Sequence, residues 1–197
     1  RVVASAYEEY GIIHPRPDWA EQDPRTWWQA LRHTVARLPE QARMAVSAVT
    51  VTSQREGLVP VDASGQALAN CILWMDKRTL PQCAAIRERI DEAALFHITG
   101  LRLDPAFSLA KLLWIREHQP TVYAGAHRLL QAGDYILAQL SGKFVSEPSI
   151  ASRTMMLDVR RRAWSAEILE RISIDGALLP RLLEPGTAVG PLRAAVA

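Results

Sequence analysis

A β-branched run at residues 45–52 constrains the fold of this chain more than any other feature, because it ends in a cluster of strongly polar residues. Branched side chains favour strands, so the run predicts a strand. Directly after it come Gln54, Arg55, Glu56 and Gly57, which place an amide and two opposite charges where the backbone can turn. Soluble α/β domains bind ligands at such strand ends. The run therefore predicts a strand with a candidate site at its end.

Strand and helix patterns alternate along the rest of the chain, which indicates an α/β fold. Further strands are predicted at residues 1–8, 58–61, 69–73 and 127–131, the second and third of them joined as a hairpin by the turn composition of residues 62–65. Helices are predicted to begin at Asp23–Pro24, Thr79, Glu92, Asp104–Pro105, Gly133–Asp134 and Trp164. Residues 144–154 are predicted to form an exposed excursion.

Two of these helices carry more detailed expectations. The first is expected to bury one apolar face made of Trp28, Leu31, Val35 and Leu38. The second is expected to begin with a capping box, because Thr79 is followed three residues later by Gln82, and to turn Cys83, Ile86 and Ile90 inward.

Composition restricts the class of protein. The chain has 197 residues, of which 49% are hydrophobic and 22% charged, as expected for one globular domain or one large lobe. Its net charge of +2 implies neither nucleic acid nor a membrane surface as a partner. Arg160–Arg162 is interpreted as a solvated turn, and Cys71 and Cys83 as reduced thiols of a cytoplasmic protein. The chain begins at Arg1 without Met and ends in an Ala-rich segment, so we expect a part of a longer polypeptide.

The polar residues after the strand suit a ligand with several hydroxyl groups. Arg55 offers five fixed donors, Glu56 offers acceptors, and Trp74 offers an apolar face with one N–H donor. Asp76 follows Trp74 by two residues and either accepts a hydroxyl hydrogen bond or caps the following helix. A salt bridge between Arg55 and Glu56, with Trp74 in the core, is the competing interpretation of the same residues.

Several motifs in order make the chain resemble the FGGY family of carbohydrate kinases. They run from Trp19–Pro24 through Ser53–Gly57 and Ile72–Thr79 to Asp104–Ser108 and Lys111–Trp114, and they continue at Asp134–Tyr135, Leu140–Gly142 and Ala151–Thr154. The resemblance implies an actin-like, ribonuclease-H-like ATPase lobe with a mixed sheet flanked by helices. Residues 1–197 would form most of the N-terminal lobe. It also implies transfer of the ATP γ-phosphoryl group to a hydroxyl of a sugar or polyol, with Mg²⁺.

The resemblance also implies roles for individual residues. Glycerol kinases of this family hold the polyol with an Arg-Glu pair and a Trp, positions that fall on Arg55, Glu56 and Trp74. Xylulokinases usually carry Met-His in place of that pair, which disfavours a typical xylulokinase. Ala106 stands where glycerol kinases have a ring against the substrate, so a ligand larger than glycerol is expected. The substrate-binding set predicted in this way is Gln54, Arg55, Glu56, Trp74, Asp76, Ala106 and Phe107.

The same resemblance places the catalytic machinery outside this chain. The family's phosphate-binding hairpin is expected before Arg1 and its catalytic Asp after Gly190, so no catalytic or metal-binding residue is assigned here, and the chain alone is expected to be inactive. Lys111 is expected to be solvated or ion-paired, Arg153 to fix a loop and Asp134 to cap a helix. A non-catalytic, sugar-responsive regulatory module and a purely structural domain are the alternative functions, and a homodimer is plausible.

Overall fold

The computed structural model describes residues 1–194 and residue 196. The helices in this part of the chain are α1 (Pro24–Ala36), α2 (Glu40–Met44), α3 (Leu80–Arg87), α4 (Glu92–Thr99), α5 (Ser108–His118), α6 (Pro120–Gly125), α7 (Ala132–Ser141), α8 (Pro148–Ala151) and α9 (Ala166–Ile172). The strands are β1 (Glu21–Gln22), β2 (Val59–Val61), β3 (Cys71–Ile72), β4 (Arg128–Leu130), β5 (Val145–Ser146), β6 (Leu157–Asp158), β7 (Ala163–Trp164) and β8 (Arg181–Leu182). No helix in this part of the chain is long and apolar enough to cross a membrane.

The strands form four short pairs. β1 pairs with β3, β2 with β4 and β6 with β7, all antiparallel, whereas β5 and β8 are parallel. Both directions are therefore present, as the expected mixed sheet requires, but within the described residues the pairs do not join into one sheet. The predicted hairpin reverses at Asp62, whose carboxylate accepts hydrogen bonds from the backbone of Ser64 and Gln66. Its two arms touch only through isolated bridges, because β2 takes β4 as its ladder partner.

Two apolar clusters form the core. The larger one surrounds α5, whose residues from Ser108 to Ile115 are all buried, and receives Cys83, Ile86 and Ile90 from the α3 side as predicted. The smaller one lies between α1, α7 and the β2–β4 pair. The candidate site lies beside the larger cluster, because the turn before β2 rests on the first residues of α5.

Two predicted strands are wrong. Residues 1–8 and 45–52 form no strand, and both Val46 and Val49 remain more than half exposed. Strand preference reflects the fit to a pleated surface with neighbours on either side, and neither segment pairs with another backbone among the described residues. Residues 49–54 instead border an open groove of about 430 Å³ beside α1 and α7.

Side-chain contacts contradict three further predictions. On α1 the buried aromatic residue is Trp27, which meets Tyr135 of α7 edge to face at 6.2 Å, whereas Val35 of the predicted face is 44% exposed. Thr79 begins α3 without the predicted capping box, because its hydroxyl donates to the carbonyl of Pro105. Residues 144–154 are not an exposed excursion, since they contain β5 and α8 and bury Val145, Ala151 and Thr154.

Candidate functional site

The turn at Glu56 is held in a strained conformation by groups from distant parts of the chain. Glu56 has a φ of 68°, in the left-handed region that L residues rarely adopt. Its backbone N–H donates to Oε1 of Gln131 at 2.6 Å. Its carbonyl accepts from Oγ of Ser108 at 3.1 Å and from Nζ of Lys111 at 2.9 Å. The backbone of this turn is therefore fixed from both sides by buried partners.

The side chain of Glu56 is paired with an arginine, but not with its neighbour. Nε of Arg153 donates to Oε1 of Glu56 at 2.6 Å, and the guanidinium lies 4.8 Å from the centre of the Phe107 ring. Arg55 remains exposed and makes no ion pair among the described residues. The competing interpretation of a mutual Arg55–Glu56 salt bridge is therefore wrong. Arg153 holds the two predicted site residues Glu56 and Phe107 together.

Gln54 lies on the other side of this turn and faces α1. Its Nε2 donates to Oε1 of Gln22 at 2.9 Å, an oxygen that also accepts from Nε1 of Trp27 at 3.1 Å. The amide of Gln54 thus closes a small polar network at the start of α1. Gln54 also borders the groove beside residues 49–54.

The second predicted segment carries Trp74 and Asp76, which have opposite environments. Trp74 is 49% exposed, so it is not a core residue. Asp76 is 1% exposed; its Oδ2 accepts from the backbone N–H of Ala20 at 2.6 Å, and its Oδ1 accepts from the backbone N–H of Arg78 at 2.9 Å. The Arg78 guanidinium adds bonds of 2.7–3.0 Å to both oxygens. With both oxygens occupied, Asp76 holds this loop in shape and does not cap α3.

Arg78 fixes the loop to the larger core cluster. Its guanidinium also reaches Oε1 of Glu21 at 2.7 Å and lies near two indoles set almost at right angles, 3.7 Å from the ring centre of Trp19 and 4.9 Å from that of Trp114. Its charge is compensated by two carboxylates and by cation–π contacts with two aromatic rings. Trp74 is therefore exposed on a loop whose base is rigid.

Strand pairing places the two segments side by side. An antiparallel bridge joins Leu58 to Ile72, so the residues just before Leu58 and those just after Ile72 leave the bridge at the same end. A Cβ added at Gly57 would lie only 2.6 Å from Sγ of Cys71, which shows how closely the backbones approach. The structure thus places the segment that carries Arg55 and Glu56 and the segment that carries Trp74 at one edge, the same end of this bridge.

Lys111 departs most from expectation. It is fully buried in the first turn of α5, where its Nζ donates to the carbonyls of Glu56 and Ala106 and makes no ion pair within the described part of the chain. Burial lowers the pKa of its ammonium to about 8, against the opposing effect of Cys71, Asp76, Glu56 and Asp104. The expectation of a solvated or ion-paired lysine is wrong, because α5 carries this side chain into the core.

The N-terminal end of α7 contributes polar side chains that anchor the site. Asp134 accepts from the backbone N–H of Gln131 at 3.2 Å, and the two form a capping box, so Asp134 does help to cap α7, but the cap residue is Gln131 and the helix begins before Asp134. Burial raises the pKa of Asp134 to about 7. Gln131 also donates through Nε2 to the carbonyl of Ile150 at 2.6 Å, so one amide joins the Glu56 turn to α8.

Sequence reasoning missed three of the four residues that hold the Glu56 turn. The expectation that Arg153 fixes a loop is confirmed by its bond to Glu56, but the contacts of Ser108, Lys111 and Gln131 with Glu56, from 52 to 75 positions along the chain, were not predicted. No local spacing indicates such contacts. Among the described residues, no group of three or more His, Cys, Asp and Glu side chains is arranged to hold a metal ion.

Comparison with known proteins relates the chain to sugar and polyol kinases. The family model described as "FGGY family of carbohydrate kinases, N-terminal domain" matches residues 1–197. The xylulose kinase of Escherichia coli (strain K12) is 34% identical over 197 residues, which are 100% of this chain and 40% of that protein. The glycerol kinase of Methylibium petroleiphilum is 36% identical over 200 residues, covering 96% of this chain and 40% of that protein. The chain therefore spans about two fifths of the length of these relatives.

Solved structures confirm the expected actin-like α/β fold. A structure described as a xyloylose kinase from Brucella ovis superposes with a TM-score of 0.90 at 31% identity, over 98% of this chain and 41% of that one. The glycerol kinase of Plasmodium falciparum, solved with ADP, gives a TM-score of 0.89 at 20% identity, over 98% of this chain and 41% of that one, a likeness of fold alone. Relatives of both substrate classes match at similar identity, so these comparisons do not choose between them.

Proposed function

Because the chain belongs to the FGGY family of carbohydrate kinases, we propose that the complete protein transfers the γ-phosphoryl group of ATP to a hydroxyl of a sugar or polyol and that this chain binds that acceptor. The observation that carries the proposal is the edge where Arg55 and Trp74 are exposed beside a rigidly held Glu56. An indole face and a guanidinium provide what a polyhydroxylated ligand needs, apolar contact for its C–H faces and donors for its oxygens.

Each predicted residue receives a specific role in this proposal. Arg55 donates to acceptor hydroxyls, and Trp74 stacks on the carbon skeleton. Arg153 engages Oε1 of Glu56, and we assign Oε2 to an acceptor hydroxyl. Ala106 and Phe107 form a neighbouring wall, where the small side chain of Ala106 leaves room for an acceptor longer than glycerol. Asp76 acts as a positioning residue, because both of its oxygens are already occupied.

The remaining parts of the reaction are assigned beyond this chain. Phosphoryl transfer requires a cradle for the phosphates, Mg²⁺ and a base for the acceptor hydroxyl. Among the described residues, no group of three or more His, Cys, Asp and Glu side chains could hold a metal ion. The proposal therefore gives the residues of this chain no role in binding Mg·ATP. The contribution of this chain is to bind and orient the acceptor, which lowers the barrier by fixing the geometry of attack.

Turnover by the complete protein tests the proposal. ATP consumption is measured with Mg²⁺ against glycerol, erythritol, D-xylulose, D-fructose, D-gluconate and buffer alone. We expect one acceptor of four or more carbons to stimulate ATP consumption well above that with glycerol. If no acceptor stimulates turnover although the protein is folded and binds ATP, the proposal is contradicted and the regulatory alternative takes its place.

A further inference from the structure

A fully buried lysine without an ion pair is costly, and Lys111 is such a residue. An ammonium loses much of its hydration on burial, and the loss is recovered only through charged or strongly polar partners. In the described part of the chain, the nitrogen of Lys111 contacts only two main-chain carbonyl oxygens. An apolar side chain of similar length would fill the same volume without this cost, so stability alone does not account for a lysine here.

The two carbonyls belong to two neighbouring walls of the proposed acceptor site, the Glu56 turn and the Ala106–Phe107 segment. One is that of Glu56, in the strained turn that follows Arg55, and the other is that of Ala106, on the wall that ends in Phe107. Ser108 also donates to the Glu56 carbonyl, at 3.1 Å, but it has no bond to Ala106. Lys111 is therefore the one side chain among the described residues that bonds to both walls through its own donor group.

We propose that Lys111 is a positioning residue that fixes the two walls of the acceptor site relative to each other by holding the carbonyls of Glu56 and Ala106 on a single ammonium. This inference rests on the proposed function, since it concerns the same site. It assigns Lys111 no contact with ATP or with the acceptor. Its effect on binding passes through the turn that carries Arg55 and Glu56 and through the wall formed by Ala106 and Phe107.

A comparison of Lys111→Met with Ser108→Ala distinguishes a bridge between two carbonyls from a hydrogen bond to the Glu56 carbonyl alone. Lys111→Met removes the hydrogen-bonded link between the two main-chain carbonyls and leaves Arg153 in place, whereas Ser108→Ala removes only a second donor to Glu56. In the complete protein, we expect Lys111→Met to raise the KM for the acceptor about tenfold, the effect of losing one charge-assisted contact, with the KM for ATP unchanged. We expect Ser108→Ala to raise the acceptor KM less than threefold, as for a minor neutral contact. Lys143→Met, at an exposed lysine, is the matched control.

The outcomes separate this inference from the proposed function. The bridging role would be overturned if Lys111→Met and Ser108→Ala raised the acceptor KM equally. It would also be overturned if Lys111→Met raised the KM for the acceptor and the KM for ATP in parallel. If Arg55→Ala raises the acceptor KM while Lys111→Met leaves it unchanged, the inference fails and the proposed function stands. If neither variant changes it, both fail. Should Lys111→Met not fold, Lys111→Gln, whose shorter side chain cannot span both carbonyls, is expected to show the same rise confined to the acceptor.

Discussion

The turns at Glu56 and Asp76 flank the same candidate site but are held in opposite ways. Glu56 is fixed by Gln131, Lys111 and Arg153, which reach it from three distant elements, whereas Asp76 receives all its side-chain partners from Arg78, only two residues along the chain, and one backbone N–H from the distant Ala20. The Glu56 turn depends on how α5 and α7 pack. The Asp76 turn depends on the Asp76–Arg78 ion pair and on the indoles that contact Arg78. In both, an acidic residue that is paired with an arginine lies one or two positions from an exposed residue available for a ligand.

The largest effect is expected at the Asp76 turn. Asp76→Asn removes a buried negative charge and leaves the Arg78 guanidinium with Glu21 as its remaining ion-pair partner, so the free energy of unfolding should fall by about 3–5 kcal/mol. Urea denaturation followed by circular dichroism measures this loss. Asp18→Asn, the same chemical change at an exposed position, should change stability by less than about 0.5 kcal/mol. Similar effects at the two positions would show that the ion pair does not hold this turn.

A pH dependence is expected on the Glu56 side, through Lys111. Its pKa in the folded state is about 8, below the ordinary value of 10.5, so between these pH values the unfolded state binds more protons. Stability should therefore rise between pH 8 and 10.5, by up to about 3 kcal/mol relative to Lys111→Met. Denaturation at several pH values measures the difference between the two proteins. A difference that stays constant would contradict the burial of a charged Lys111.

A steric effect is expected where the two segments touch. Gly57→Ala places a Cβ 2.6 Å from Sγ of Cys71, so unfolding should become easier by about 1–3 kcal/mol. Adding Cys71→Ala should restore much of this loss, which a double-mutant cycle by thermal unfolding would reveal. Gly11→Ala, where no atom lies within 4 Å of the new Cβ, is the control for backbone effects. Additive effects in the cycle would show that the segments are farther apart than described.

The smallest effect on stability is expected at the exposed residues. Arg55→Ala and Trp74→Ala remove exposed side chains that make no ion pair and belong to neither core cluster among the described residues, so each should change stability by less than about 1 kcal/mol. Thermal unfolding without ligand measures this. A large loss for either variant would mean that the residue is structural, and it would remove the contrast between anchoring and ligand-binding residues.

The contrast between the turns also explains how much the sequence could reveal. The helix start at Asp23 depends on adjacent residues and was predicted correctly. The roles of Lys111 and Gln131 depend on contacts across more than 50 positions, which no spacing reports. The strand predicted from the β-branched run at 45–52 was wrong for the same reason, because strand preference stabilises a strand only where another backbone pairs with it.

The most direct test of the account is the acceptor KM of the complete protein for wild type, Arg55→Ala and the control Arg32→Ala, an exposed arginine on α1. The acceptor is the one that gives the highest turnover in the panel. We predict a rise of at least about tenfold for Arg55→Ala, no change in the KM for ATP, and no effect of Arg32→Ala. An acceptor KM that is the same in all three proteins would contradict the assignment of this edge as the acceptor site.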